Sequence, residues 1–125
     1  MIPEDVQQIL FALLNKSEAR EVNWVEVESV GMNPESDDDY VVVLPDSSIN
    51  IYRDMDDDVV NVKILNSEGD IVLHVVPEQI EEHRLVGRLF NSAKRKALNL
   101  DSVLDNLKKA LSADGVVGGT KSKSK

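Results

Sequence analysis

Apolar residues recur along this chain at two periods, and the switches between them divide it into three stretches. In the first, Val6, Ile9, Leu10 and Leu13 share one face at helical spacing behind Pro3, Glu4 and Asp5, a proline and two acids of the kind that open a helix. Phe11 lies well off that face, so the predicted helix carries more apolar surface than a single stripe.

From Val22 to Val76 the period becomes two. Val22–Val30, Tyr40–Leu44, Ile49–Arg53, Val59–Leu65 and Ile71–Val76 are rich in β-branched and aromatic residues and read as five strands. Their separators carry turn chemistry: Gly31–Asp39 with Asn33-Pro34, then Pro45–Ser48, the acidic Asp54–Asp58, and Asn66–Asp70. Connections this short join antiparallel neighbours, because parallel strands need crossovers of roughly a dozen residues. Val60, Val62 and Ile64 alternate with Val59, Asn61 and Lys63, which predicts one core face and one mostly polar face.

After Pro77 the helical period returns. Leu85, Val86, Leu89, Phe90, Ala93 and Ala97 share a broad face; Asn99 and Asp101 mark a break and a new N-cap; and Val103, Leu104, Leu107 and Leu111 make a further amphipathic helix. The predicted fold is α+β, a five-stranded antiparallel meander with one N-terminal helix and two C-terminal helices packed on one face. Residues 1–113 are expected to form one domain, and the Gly/Ser/Lys stretch 114–125 a disordered tail.

Length and composition agree with one modest core: 125 residues, 42% of them hydrophobic. The absence of cysteine removes disulfides and thiolate chemistry and fits a reducing compartment, so the expected location is cytoplasmic. The longest apolar run, Ile9–Leu14, is far shorter than the roughly 20 residues of a membrane span, and the acidic start is unlike a secretory signal.

Charge changes the picture more. Residues 1–82 hold twenty acidic and four basic side chains, whereas residues 83–125 hold three acidic and ten basic, within a net charge of −9. Such a split means either a self-complementary molecule or a basic surface shown to a partner, and the overall negative charge argues against nucleic acid.

Several pieces of the chain resemble a widespread bacterial family of small uncharacterised α+β domains. They are Asn23-Trp24, Leu44–Ile51, Val62–Gly69 and Leu89–Leu98 followed by Asp101 and Leu104, within residues 9–112. The resemblance implies the helix, meander, two-helix order, brings no activity or cofactor with it, and favours an interaction role over an enzyme.

Candidate chemistry is sparse. Asp54, Asp56 and Asp58 have the spacing of the first calcium ligands of an EF-hand, but Val59 stands where the turn glycine belongs and Leu65 where the bidentate glutamate belongs. Solvated acidic hairpin tips are expected there and at Asp37–Asp39. His74 and His83 lack the spacing of a metal pair, and His74 should face away from Ile71, Leu73 and Val75. Trp24, Tyr40 and Tyr52 lie in acidic strands with no interleaved basic residue, so packing is expected of them rather than base stacking. No catalytic residue, cofactor site or metal site is predicted.

The basic helix remains. At about 100° per residue, Arg84, Arg88 and Arg95 gather opposite the core residues of their helix, flanked by Lys94 and Lys96. That stripe suits carboxylate or phosphate recognition, although any surface helix needs a polar face, here helped by Glu81. The expected function is a non-catalytic protein–protein interaction or adaptor module, with Arg84, Arg88, Arg95 and Phe11 as candidate contacts for a partner protein, the arginines suiting an acidic one. A homodimer through the first helix or a sheet edge is a further expectation. The alternatives are a nucleic-acid-associated regulator using the same helix, and an enzyme with an unrecognised site.

Overall fold

The computed structural model describes residues 2–27, 36, 38–113, 115, 116 and 118. It has the predicted order: α1 (Glu4–Glu18), β1 (Val25–Glu26), β2 (Asp39–Val43), β3 (Ser47–Arg53), β4 (Val60–Asn66), β5 (Ile71–Val75), α2 (Ile80–Ala97) and α3 (Leu100–Ser112). The strands form a single sheet in chain order, every neighbouring pair antiparallel. Each boundary falls within a residue or two of its turn signal except at β1, where only Val25 and Glu26 pair with β2; residues 28–30, expected to extend it, lie outside the described residues, as does all of the predicted tail but residues 115, 116 and 118.

Register explains the two faces. Tyr40 pairs with Ile51, Ile51 with Val62 and Val62 with Val75, so these four side chains line up across the sheet on the core side. One residue along, Val41, Asn50 and Lys63 point the other way, and Lys63 pairs with His74. Turn chemistry fixes that register. In the β4–β5 turn, Asn66 Oδ1 accepts hydrogen bonds from the backbone N–H of Glu68 and Asp70, both at 3.0 Å, while Gly69 adopts φ 86°, a left-handed conformation that glycine takes without steric cost.

α1 and α2 lie side by side, and their inward residues join the strands in one core. Val6, Leu10 and Leu14 come from α1, and Leu85, Val86, Leu89, Phe90 and Ala93 from α2. Trp24 is buried between them and donates its indole N–H to Ser17 Oγ at 2.9 Å, which is also 2.7 Å from Ser92 Oγ. The start of α2 is closed by a capping box between Gln79 and Glu82. Glu82 is buried and also accepts the N–H of Ile2 at 2.7 Å, which ties the beginning of α1 to the beginning of α2.

α3 differs from the other helices. Leu98 and Asn99 end α2 with N–H bonds to Lys94 O and Lys96 O, and Asn99 turns the chain in the left-handed conformation, φ 56°. Asn99 holds the N-cap position of α3 without a side-chain cap bond. The chain after it runs along α2: among the described residues α3 approaches α2 and buries none of its own residues, so the helical side of the core is built from α1 and α2.

Candidate functional site

The basic stripe of α2 faces away from the core, as helical spacing predicts, but it is not uniform. Arg88 forks onto Glu18 at the end of α1, with Nη2 at 2.7 and 3.0 Å from the two carboxylate oxygens and Nε at 3.2 Å. Arg95 reaches Asp101 in the first turn of α3, and Asp101 also pairs with Arg20 at 3.3 Å. The Asp101 carboxyl is held below its usual range chiefly by the hydrogen bond from Arg95, with Arg20 assisting against a smaller desolvation effect. Arg84 is exposed and makes no such pair among the described residues.

These pairs wall a cleft of about 580 Å³ between the end of α1, the outer face of α2 and the start of α3. Arg88 and Arg95 line it with Arg20 and Lys96, and Glu18, Asp101 and Asp105 supply the opposite charge. Arg84 and Phe11 are not among its walls. Of the four candidate contacts, two therefore stand together in one cleft, each already paired with a carboxylate; Arg84 is solvated, and Phe11 is half-exposed on α1, outside the core cluster.

Part of the negative half of the chain is also absorbed internally. Asp38, expected in a solvated acidic tip, accepts hydrogen bonds from Arg53 Nη2 at 2.6 Å, Tyr40 Oη at 2.8 Å and Lys94 Nζ at 3.2 Å. Desolvation raises its pKa, and the bonds from Arg53, Tyr40 and Lys94 together outweigh it, leaving the carboxyl below its usual value. Arg53 in turn lies over the Phe90 ring, 5.2 Å from its centroid, and Tyr40 meets the same ring at 5.7 Å. Asp39 is buried as well and accepts from the Asn50 amide. The reason is positional: Asp38, just ahead of β2, meets Lys94 of α2, whereas Asp39, the first residue of β2, lies on the opposite face of the sheet against Asn50, and the acidic composition gives no sign of either.

At the other acidic turn the expectation of a solvated tip holds. Asp54 Oδ1 accepts the N–H of Asp56 at 2.8 Å and Asp57 Oδ1 that of Val59 at 3.0 Å, so both carboxylates brace the turn's own backbone. No group of three or more His, Cys, Asp or Glu residues suited to a metal ion occurs among the described residues.

The far face of the sheet carries a second polar group. His74 Nε2 lies 3.0 Å from Asn61 Oδ1 and 3.2 Å from Tyr52 Oη, and Lys63 Nζ sits over the Tyr52 ring at 4.9 Å from its centroid. Partial burial and then the nearby Lys63 charge lower the His74 pKa. Tyr52 and Asn61 are buried, so these contacts satisfy polar groups that alternation alone places on this face.

α3 carries an exposed apolar side. Val103, Leu104, Leu107 and Leu111 are 47, 40, 51 and 68% exposed, on one side of a helix with no buried residue. Helical spacing makes the amphipathic pattern plain; that none of the described residues covers it is visible only in the fold.

The chain matches no family profile, no curated protein and no solved structure. No helix among the described residues is long and apolar enough to cross a membrane.

Proposed function

We propose that the protein is a non-catalytic protein–protein interaction module that offers α3 to an amphipathic helix. What supports this is the state of α3, a thirteen-residue helix whose apolar side is left exposed by the described residues of the domain. Fully burying one leucine is worth roughly 1.5–3 kcal/mol, and single exposed apolar residues are common on protein surfaces. A continuous apolar stripe along one helix is different, since it exposes a contiguous patch of the kind that marks an interaction surface.

The docking surface thus moves from the arginines to the leucines. Arg88 and Arg95 already hold Glu18 and Asp101, which weakens both an acidic-partner reading and a nucleic-acid reading of α2. The experiment compares proteins retained from native lysate by wild type and by Leu104→Asp/Leu107→Asp. A protein held in stoichiometric amount by wild type and absent from the equally folded double variant is expected; identical retained sets would overturn the proposal.

A further inference from the structure

We infer that the helix covering α3 is α3 of a second copy, packed antiparallel. This rests on α3 being the docking helix, and goes beyond it by fixing the occupant and its direction.

Three features of α3 carry the inference. Leu100, Leu104, Leu107 and Leu111 are separated by four, three and four residues, the spacing of a coiled-coil seam. That spacing reads the same in both directions. Reversing one helix therefore brings Leu100 against Leu111 of the second copy and Leu104 against Leu107, so all four layers close on leucine.

The flanks of the seam select direction. One flank carries Asp101 and Lys108, the other Val103 and Ala110. In an antiparallel pair like flanks meet, so Asp101 faces Lys108 of the second copy and Val103 faces Ala110. A parallel pair would instead set Lys108 against Val103, a charge against an apolar side chain. Asp101 also holds Arg95 and Arg20, so Lys108 of the second copy joins an existing cluster at the rim and orients the pair more than it tightens it.

Third, charge along α3 is antisymmetric. Asp101 and Asp105 occupy its first half and Lys108 and Lys109 its second, which opposes unlike charges only when one helix is reversed. A two-fold axis through the middle of α3 satisfies the seam, the flanks and the charges together. A single helix pair falls below the roughly 1,200 Å² of stable interfaces, which makes the association weak and concentration-dependent.

Sedimentation of the full chain from micromolar to millimolar concentration tests the inference. Wild type is expected to rise from 13.9 kDa towards twice that mass. Leu104→Asp/Leu107→Asp is expected to stay monomeric with an unchanged circular dichroism spectrum, because neither leucine is buried in the domain. The chain has no cysteine, so direction is read by disulfide trapping: Leu111→Cys mixed with Leu100→Cys is expected to form mixed disulfides, and Leu111→Cys alone none. A wild type monomeric throughout, a dimer that survives the double variant, or efficient self-trapping of Leu111→Cys would overturn it. Monomeric wild type that still loses a different bound protein on Leu104→Asp/Leu107→Asp would end the self-pairing while leaving α3 as the docking helix.

Discussion

Asp38 Oδ2 lies 2.6 Å from Arg53 Nη2, and the same oxygen receives Lys94 Nζ at 3.2 Å, so one carboxylate just ahead of β2 is tied to β3 and α2 at the end of the sheet. The pair is partly buried, with side-chain exposures of 18% for Asp38 and 37% for Arg53, and its net worth is therefore discounted for solvent screening. Asp38→Asn is expected to lower stability at neutral pH by about 1–2 kcal/mol, measured by urea denaturation.

The pH dependence of that contribution has a definite sign. The folded carboxyl titrates below its ordinary 3.8, so its stabilisation is complete above that value and is lost as pH falls through the lower, folded pKa. Wild type should lose stability steeply on acidification below about pH 4, and Asp38→Asn should show a shallower fall over the same range. Parallel curves for the two proteins would remove Asp38 from this role.

Ser17 Oγ is the acceptor of the buried Trp24 indole N–H and lies beside Ser92 Oγ. Ser17→Ala leaves that donor unsatisfied inside the core, at a cost of about 1–3 kcal/mol. Ser92→Ala keeps the indole bond and should cost less. Chemical denaturation followed by fluorescence of the single tryptophan measures both, and equal losses would contradict the assignment.

Glu82 accepts backbone N–H groups from Ile2 at 2.7 Å, Glu78 at 2.9 Å and Gln79 at 3.1 Å. Its pKa is lowered, first by the bond from Ile2 and then by that from Gln79. Glu82→Ala should lower the melting temperature more than Glu82→Gln and speed amide exchange at the start of α1. Unaltered exchange there would show that Glu82 does not anchor the segment.

His74 makes a prediction of the same sign in a higher pH range. Its folded pKa lies below the ordinary 6.5, so on acidification the unfolded chain takes up the proton first. Stability should fall as pH drops from about 6.5 towards the folded value, and His74→Gln should flatten that slope. NMR titration of the ring checks the direction directly: a His74 pKa at or above 6.5 would contradict it.

Much of the fold was legible because each element states itself locally. The period-two runs at Val60–Ile64 and Ile49–Ile51, and the Asn66–Asp70 turn, carry their own pairing and register. The helical wheel of α2 likewise placed Arg84, Arg88 and Arg95 outside the core. A wheel says which way a side chain leaves its own helix, however, and nothing about what stands there. Arg88 meets Glu18 from 70 residues away, and Lys94 meets Asp38 from 56. Asp38 looked like a loop acid because its partners are distant in sequence. The apolar pattern of α3 suggests a face on the sheet for the same reason: amphipathicity announces that a helix will be covered, not by which molecule.

Amide hydrogen exchange across α3 at rising protein concentration tests most directly whether that helix is an interface. The account predicts that residues 100–112 gain protection with concentration in wild type, that α1 and the strands do not change, and that Leu104→Asp/Leu107→Asp abolishes the gain. Exchange in α3 that is independent of concentration and identical in the double variant would contradict it.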